Sequence, residues 1–197
     1  MSIKLLGQQS LIYGAGHVVA RGVIFLLLPL YTNVFSLEEY GIISLIFTFL
    51  GFMNVILHYG LDASLLKHYV PANNEERKLI LSNIYVSFVI TTTAIVTLLV
   101  LFRHQVSDLF FGSDLPQISL LVAGILFFDV LWTIHTLLLR AEGKPVFFTL
   151  VNFFNVLSSL GLNLLLVLYF QMGIFGVLLS NLITSGLIFI ATLPIII

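Results

Sequence analysis

Apolar residues fill this chain in long stretches that are separated by short polar loops. The stretches cover residues 10–34, 41–61, 79–102, 116–139, 146–169 and 174–196. Each reaches the roughly 20 residues that an α-helix needs to cross about 30 Å of hydrocarbon. None has the short, alternating segments of a transmembrane barrel strand. The pattern therefore predicts an all-α integral membrane protein with six transmembrane helices.

Composition supports a membrane protein over a soluble one. The chain is 59% hydrophobic and 9% charged, whereas soluble domains are about 45–50% apolar and about 25% charged. So few charged residues would not cover a soluble surface. The net charge of −1 gives no sign of nucleic-acid binding, and the absence of Cys excludes disulfides and thiolate metal sites.

The positive charges predict how the chain lies in the membrane. The loops on one side carry Lys4, Lys67, Arg77, Lys78, Arg140 and Lys144, whereas the loops on the opposite side carry Arg103. Because Lys and Arg are enriched in cytoplasmic loops, we predict that both termini are cytoplasmic. The final residues, 194–197, are still inside or just leaving the sixth apolar stretch. We therefore expect that the chain is part of a longer protein.

Arg21 is the most unusual residue within the predicted spans, because it lies about halfway along the first one. An arginine at the centre of a bilayer costs about 2.5–3.5 kcal/mol on insertion scales, so it should face a hydrated cavity or a carboxylate. His17 lies one helical turn earlier on the same face. Arg21 is either half of a buried ion pair that fixes packing or a contact for a substrate or an ion.

A polar stripe follows the fourth span. Asp129, Thr133, Thr136 and Arg140 succeed one another on one helical face. Such stripes line cavities more often than they face lipid, although threonine can also bond to a backbone carbonyl of its own helix. Asp129 has three open roles: it neutralises Arg21, binds a coupling cation, or titrates as a proton site.

A second polar stripe follows the fifth span and consists of Asn152, Asn155, Ser159 and Asn163. Hydrogen bonding between helices explains any one of these residues alone, but together they indicate the wall of a hydrated cavity. The sixth span instead carries Gly176, Ser180 and Thr184 at four-residue intervals. Small residues at this spacing allow helices to approach closely, so we predict a packing seam there.

Motifs typical of enzymes are missing from the sequence. The five histidines lack the H-x-x-x-H and H-E-x-x-H spacings, and the chain has neither G-x-S-x-G nor a glycine-rich phosphate-binding loop before a helix. We therefore expect no enzymatic activity.

Four segments resemble the polysaccharide flippases of the Wzx type. They are residues 28–45, 59–69, 139–145 and 173–176, and they occur in the order and spacing of that family. The first resembles the loop that leads into the second span, and the second resembles the cytoplasmic exit from it. The other two resemble the connections on either side of the fifth span. These flippases belong to the multidrug/oligosaccharidyl-lipid/polysaccharide (MOP) exporter superfamily, together with the MATE transporters and the lipid II flippases.

The resemblance implies one lobe of a two-lobe transporter with 12–14 helices. Residues 1–197 would form the N-terminal lobe, and a C-terminal lobe would follow. The implied substrate is an oligosaccharide on polyprenyl pyrophosphate, moved across the cytoplasmic membrane of a bacterium or archaeon by alternating access. Arg21 matches a cationic position on the first helix of the family and would attract the pyrophosphate. The cavity would then be lined by Arg21, His17, Asp129, Thr133, Asn152 and Asn155.

Two other functions stay open. A cation-coupled exporter of small organic molecules, like the MATE transporters, would use Asp129 as its ion site. A membrane scaffold without transport activity would recruit a glycan polymerase or glycosyltransferases. For a transporter, the coupling ion would be Na⁺ or H⁺, and we expect no other cofactor.

Overall fold

The computed structural model describes residues 28–29, 31–111 and 116–196, and these residues form helices with no strand among them. The helices are α1 (Leu37–His58), α2 (Leu61–Tyr69), α3 (Asn74–Leu101), α4 (Arg103–Phe111), α5 (Pro116–Ala141), α6 (Pro145–Asn163) and α7 (Gly173–Thr192). Leu164–Tyr169 continue α6 as a π-helix, and Leu193–Ile195 continue α7 as a 3-10 turn.

Five of these helices are long and apolar enough to cross a membrane: α1, α3, α5, α6 with its π extension, and α7. They cover the second to sixth spans that hydropathy predicts. The first predicted span, 10–34, lies almost entirely outside the described residues. The structure thus confirms an all-helical, multi-pass membrane protein, while the complete six-helix lobe stays a prediction.

Side-chain caps mark where α1 and α3 begin. Ser36 and Glu39 form a capping box at the start of α1, in which each side chain accepts a hydrogen bond from the backbone N–H of the other. Asn73 and Glu76 repeat this arrangement at the start of α3. The caps satisfy N–H groups that have no partner within a helix. As consecutive membrane spans, α1 and α3 are expected to run in opposite directions, which would put the two caps at opposite membrane surfaces.

Helix α2 is a surface helix between two spans. It buries Leu65 and Tyr69 and exposes Lys67 and His68. An apolar face and a charged face on a short helix suit the boundary between membrane and water. On the orientation predicted from the loops, this boundary is the cytoplasmic one.

Helix α5 is the centre of the packing. It contacts each of the other six helices, and most of its apolar side chains from Ile118 to Leu139 are buried. Helix α6 lies at the periphery, where Asn163 is its one buried residue. Polar groups on α5 therefore meet other helices, whereas those on α6 remain partly accessible.

The packing seam predicted on α7 is present. Ser180 and Thr184 are buried. A methyl group on Gly176 would lie 3.1 Å from the carbonyl oxygen of Leu166 in the π segment. The absence of a side chain at Gly176 is thus what lets α7 approach the backbone of the preceding span.

Candidate functional site

Asp129 lies at the middle of α5, and its carboxylate reaches across to α7. The Oδ1 atom accepts hydrogen bonds from the hydroxyl of Ser185 at 2.5 Å and from Nε1 of Trp132 at 3.1 Å. Both donors are neutral, and no cation within the described ranges forms a salt bridge with this carboxylate. An ionisable group at this depth is typical of a functional site.

The other members of the α5 stripe behave differently. Thr133 donates its hydroxyl proton to the carbonyl of Asp129, and Thr136 donates to the carbonyl of Thr133. Both hydroxyls are thus satisfied on their own helix, as threonine commonly is. Arg140 is exposed at the end of α5, with its guanidinium 5.8 Å from the ring centre of Phe148. Among these four residues, Asp129 alone hydrogen-bonds to another span in the described part of the chain.

The stripe on α6 divides into a structural end and an accessible end. Asn163 is buried, and its Oδ1 accepts a hydrogen bond from the hydroxyl of Tyr31 at 2.7 Å. Asn152 donates to the carbonyl of Phe148, which leaves its side-chain oxygen as an acceptor. Asn155 is partly buried and makes no hydrogen bond within the described residues. Asn152 and Asn155 therefore retain polar atoms that are available to a solute.

Arg21 and His17 lie outside the described residues. Their place in the cavity, and any pairing of Arg21 with Asp129, therefore stay predictions. His58, near the end of α1, donates from Nδ1 to the carbonyl of Asn54 at 2.6 Å. Its ring meets the ring of Phe88 edge to face at 5.6 Å, so His58 is a packed residue of α1.

A network of polar contacts joins α2 to the loop between α5 and α6. The hydroxyl of Tyr69 donates to Glu142 at 3.2 Å, and Lys144 pairs with the same carboxylate at 2.6 Å. Arg77 donates to the carbonyls of Tyr69 and Val70 and lies over the Tyr69 ring. Burial, with a contribution from Glu142, raises the pKa of Tyr69, and the hydrogen bond to Glu142 raises the pKa of Lys144. These contacts fix the ends of the spans to one another.

Sequence reasoning missed the buried polar contact between His135 and Thr192. His135 on α5 is fully buried, with Nδ1 2.7 Å from the hydroxyl of Thr192 on α7. Its ring stacks with Tyr85 of α3 and with Phe189 of α7. A single histidine in an apolar helix has no partner at a recognisable spacing, so nothing in the sequence identifies this junction.

No group of three or more His, Cys, Asp or Glu side chains that could hold a metal ion occurs within residues 31–111 and 116–196. The polar atoms of the site are therefore a lone central carboxylate, accessible amides and hydroxyls bound to backbone. Such a set offers neutral donors and acceptors, which suit sugar hydroxyls, and a single acidic group, which suits a monovalent cation or a proton.

Comparison with known proteins agrees with these features. A family model described as "Polysaccharide biosynthesis protein" matches residues 6–196. No curated protein and no solved structure matches the chain. The family match includes the four segments that resemble Wzx-type flippases, and it fits a role in polysaccharide biosynthesis at a membrane. The chain, whose described residues include five helices long and apolar enough to cross a membrane, belongs to the polysaccharide biosynthesis protein family, the family of the Wzx-type flippases in the MOP superfamily.

Proposed function

We propose that the protein moves an oligosaccharide linked to polyprenyl pyrophosphate from the cytoplasmic to the outer leaflet of the cytoplasmic membrane. Family membership over residues 6–196, in a chain of membrane-crossing helices, is the observation that carries this proposal. The protein would act as a transporter in a bacterium or archaeon, with its N-terminus in the cytoplasm. It would not catalyse a reaction.

The chemistry of this substrate requires a polar path. A glycan and a pyrophosphate cannot leave water for hydrocarbon without hydrogen-bond partners. The amides of Asn152 and Asn155 supply donors and acceptors for sugar hydroxyls, and both residues are partly accessible. Arg21 would bind the pyrophosphate through charge-assisted hydrogen bonds. The polyprenyl tail would stay in lipid.

Asp129 has a different role in this proposal. A carboxylate repels a pyrophosphate, so Asp129 would not bind the substrate directly. Its carboxylate accepts hydrogen bonds from Ser185 and Trp132 and makes no salt bridge with a described residue, and His58 of α1 lies close enough to interact with its charge. The negative charge of Asp129 would be neutralised by Na⁺, by H⁺ or by Arg21. Replacement of the bound Na⁺ or H⁺ by Arg21 would couple ion binding to the transport cycle.

Alternating access would need a second lobe. The polar faces of the first, fourth and fifth spans would line one half of a central cavity, and a C-terminal lobe would line the other. Rocking of the two lobes would expose the cavity first to one side of the membrane and then to the other.

A cation-coupled exporter of small molecules is the second candidate, and the Asp129 carboxylate, which makes no salt bridge with a described residue, favours it. The two candidates differ in what they need from Arg21. A pyrophosphate carrier loses its anion contact when Arg21 is removed, whereas an exporter of cationic or neutral molecules does not.

The proposal is tested by replacing Arg21 in the full-length protein. In cells that depend on this protein for surface polysaccharide, Arg21→Ala should abolish surface polysaccharide and leave lipid-linked oligosaccharide in the cytoplasmic leaflet, at normal membrane levels of the protein. Arg21→Lys should retain part of the activity, because the positive charge remains. Arg103→Ala is the matched control, since Arg103 is exposed at the start of α4, on the side of the membrane that the loop charges predict to be the outer one. Normal polysaccharide in Arg21→Ala cells would contradict the pyrophosphate contact and favour a scaffold or a small-molecule exporter.

A further inference from the structure

His135 lies where α3, α5 and α7 meet, and its imidazole ring is fully buried. The ring centre of Phe189 lies 5.5 Å away and that of Tyr85 lies 6.0 Å away, with planes inclined by 28° and 19°. Both aromatic rings are therefore stacked against the imidazole. His135 is thus an ionisable group in an aromatic setting.

The hydrogen bonds around His135 favour one tautomer. The hydroxyl of Thr192 donates its single proton to the backbone of its own helix, chiefly to the carbonyl of Ile188 at 2.7 Å. We assign the proton of His135 to Nδ1, because the hydroxyl oxygen can then accept from the ring while the hydroxyl proton stays on the backbone carbonyl. The neutral ring then presents a bare lone pair at Nε2.

The Nε2 atom has no partner within the described part of the chain. It is buried and makes no hydrogen bond there. Buried polar atoms are nearly always hydrogen-bonded, because an unpaired one loses its interactions with water and gains nothing in return. An unpaired acceptor on a buried side chain that can bind a proton is therefore an unusual feature.

We propose that Nε2 of His135 is a proton-binding site and that the structure shows its proton-free form. One proton from water would bind the Nε2 lone pair, and the same proton would be released when the site returns to the form seen here. Protonation keeps the bond from Nδ1 to Thr192, turns Nε2 into a donor, and places one positive charge beside the rings of Tyr85 and Phe189. Aromatic faces attract such a cation.

The groups around the ring determine how the site responds to protonation. Helix α3 contributes Tyr85, and α7 contributes no ionisable side chain. On α5 itself, Asp129 and Arg140 lie six residues before and five residues after His135, and thus on other faces of the helix. Among the described residues, no carboxylate is placed to pair with the imidazolium ring. The charged ring must therefore gain water or an acceptor.

The end of α7 is the element that can move to provide it. The α-helix ends at Thr192, and the chain continues as the 3-10 turn Leu193–Ile195. Pro194 in this turn has no N–H to donate, so the turn is held by fewer backbone hydrogen bonds. Protonation of His135 would separate this turn from α5 and admit water, and loss of the proton would restore the packing.

Trp132, the one tryptophan in these 197 residues, lies one turn before His135 and can report this change. Comparison with Trp132→Phe isolates its share of the fluorescence of the full-length protein. In the full-length protein in lipid nanodiscs, Trp132 fluorescence should change with acid pH along a one-proton curve. His135→Asn should abolish the change, because asparagine can still donate to Thr192 but cannot titrate. His68→Asn is the matched control and should leave the curve unchanged, since His68 is exposed on α2.

Two results would overturn the proposal. One is a fluorescence curve that persists in His135→Asn, which would assign the titration to Asp129, the hydrogen-bond partner of Trp132. The other is a His135 ring that stays neutral at every pH at which the wild-type protein remains folded, read from its ¹⁵N chemical shifts. The second measurement uses the wild-type protein and so does not depend on how the variant folds. Neither readout involves a transported molecule, so failure here would leave the proposed function intact.

Discussion

Gly176→Ala tests whether the close contact between α7 and the π segment is rigid. A Cβ at this position would lie 3.0 Å from Cβ of Met172 and 3.1 Å from the carbonyl oxygen of Leu166. Both distances are shorter than an ordinary carbon contact of about 3.5–4.0 Å. The same carbonyl accepts a hydrogen bond from the backbone N–H of Met172, so it cannot move without weakening that bond.

Two opposing effects give the expected magnitude. Alanine in place of glycine within a helix gains about 0.5–1 kcal/mol in the free energy of unfolding, whereas overpacking of a close contact costs about 1–3 kcal/mol. Gly186→Ala on the same helix is the matched control. Its Cβ would meet the ring of Phe128 at 3.9 Å, an ordinary contact distance. Gly176→Ala should therefore be less stable than Gly186→Ala by about 1–3 kcal/mol, or about 5- to 150-fold in the unfolding equilibrium.

Reversible unfolding in mixed lipid–detergent bicelles, followed by circular dichroism, measures this difference. The wild type should lie between the two variants or close to Gly186→Ala. Equal stability of the two alanine variants would refute the reasoning, because it would show that the π segment can move away from the added methyl group without a loss in the free energy of unfolding.

Two further changes probe other contacts. Tyr31→Phe removes the hydroxyl that donates to the buried side-chain oxygen of Asn163. It should destabilise the protein by about 1–3 kcal/mol in the same assay. Tyr40→Phe is the control and should have little effect, because Tyr40 makes no side-chain hydrogen bond in the described part of the chain. Glu142→Gln should lower the pKa of Lys144 towards its ordinary value of 10.5, as read by ¹⁵N lysine NMR. Because Glu142 raises the pKa of Lys144, the ion pair between these residues contributes to stability at pH values below 10.5. This contribution is lost as the pH rises through the raised pKa of Lys144. A Lys144 titration that is unchanged in Glu142→Gln would contradict the ion pair.

Hydropathy predicted the membrane-crossing helices well because lipid imposes a simple rule. Every backbone polar group in hydrocarbon must be paired within its segment, so about 20 continuous apolar residues become a helix. The second to sixth predicted spans agree with the observed helices to within a few residues at most ends. The surface helix α2 was missed, because it has nine residues of mixed polarity, whereas hydropathy reveals apolar stretches that are long enough to span a membrane.

The polar contacts were harder to predict than the helices. Periodicity correctly placed Asp129 and Thr133 on one face of α5, but it does not say which residue of another helix they meet. That depends on the rotation and register of α7, which are set by close packing at positions such as Gly176. The partner Ser185 therefore emerges only in three dimensions. The π segment that follows Asn163 likewise has no signature in its apolar sequence.

Direct translocation of a lipid-linked oligosaccharide is the measurement that tests the central claim. The full-length protein would be reconstituted into vesicles that carry polyprenyl-pyrophosphate-linked oligosaccharide in both leaflets. A membrane-impermeant enzyme outside would then modify the sugars that it can reach. The account predicts that the wild-type protein makes the inner-leaflet pool accessible, whereas vesicles with Arg21→Ala or without protein expose the outer-leaflet pool alone. A protected inner pool in wild-type vesicles, with the protein shown to be folded and supplied with a Na⁺ or H⁺ gradient, would contradict the proposed function.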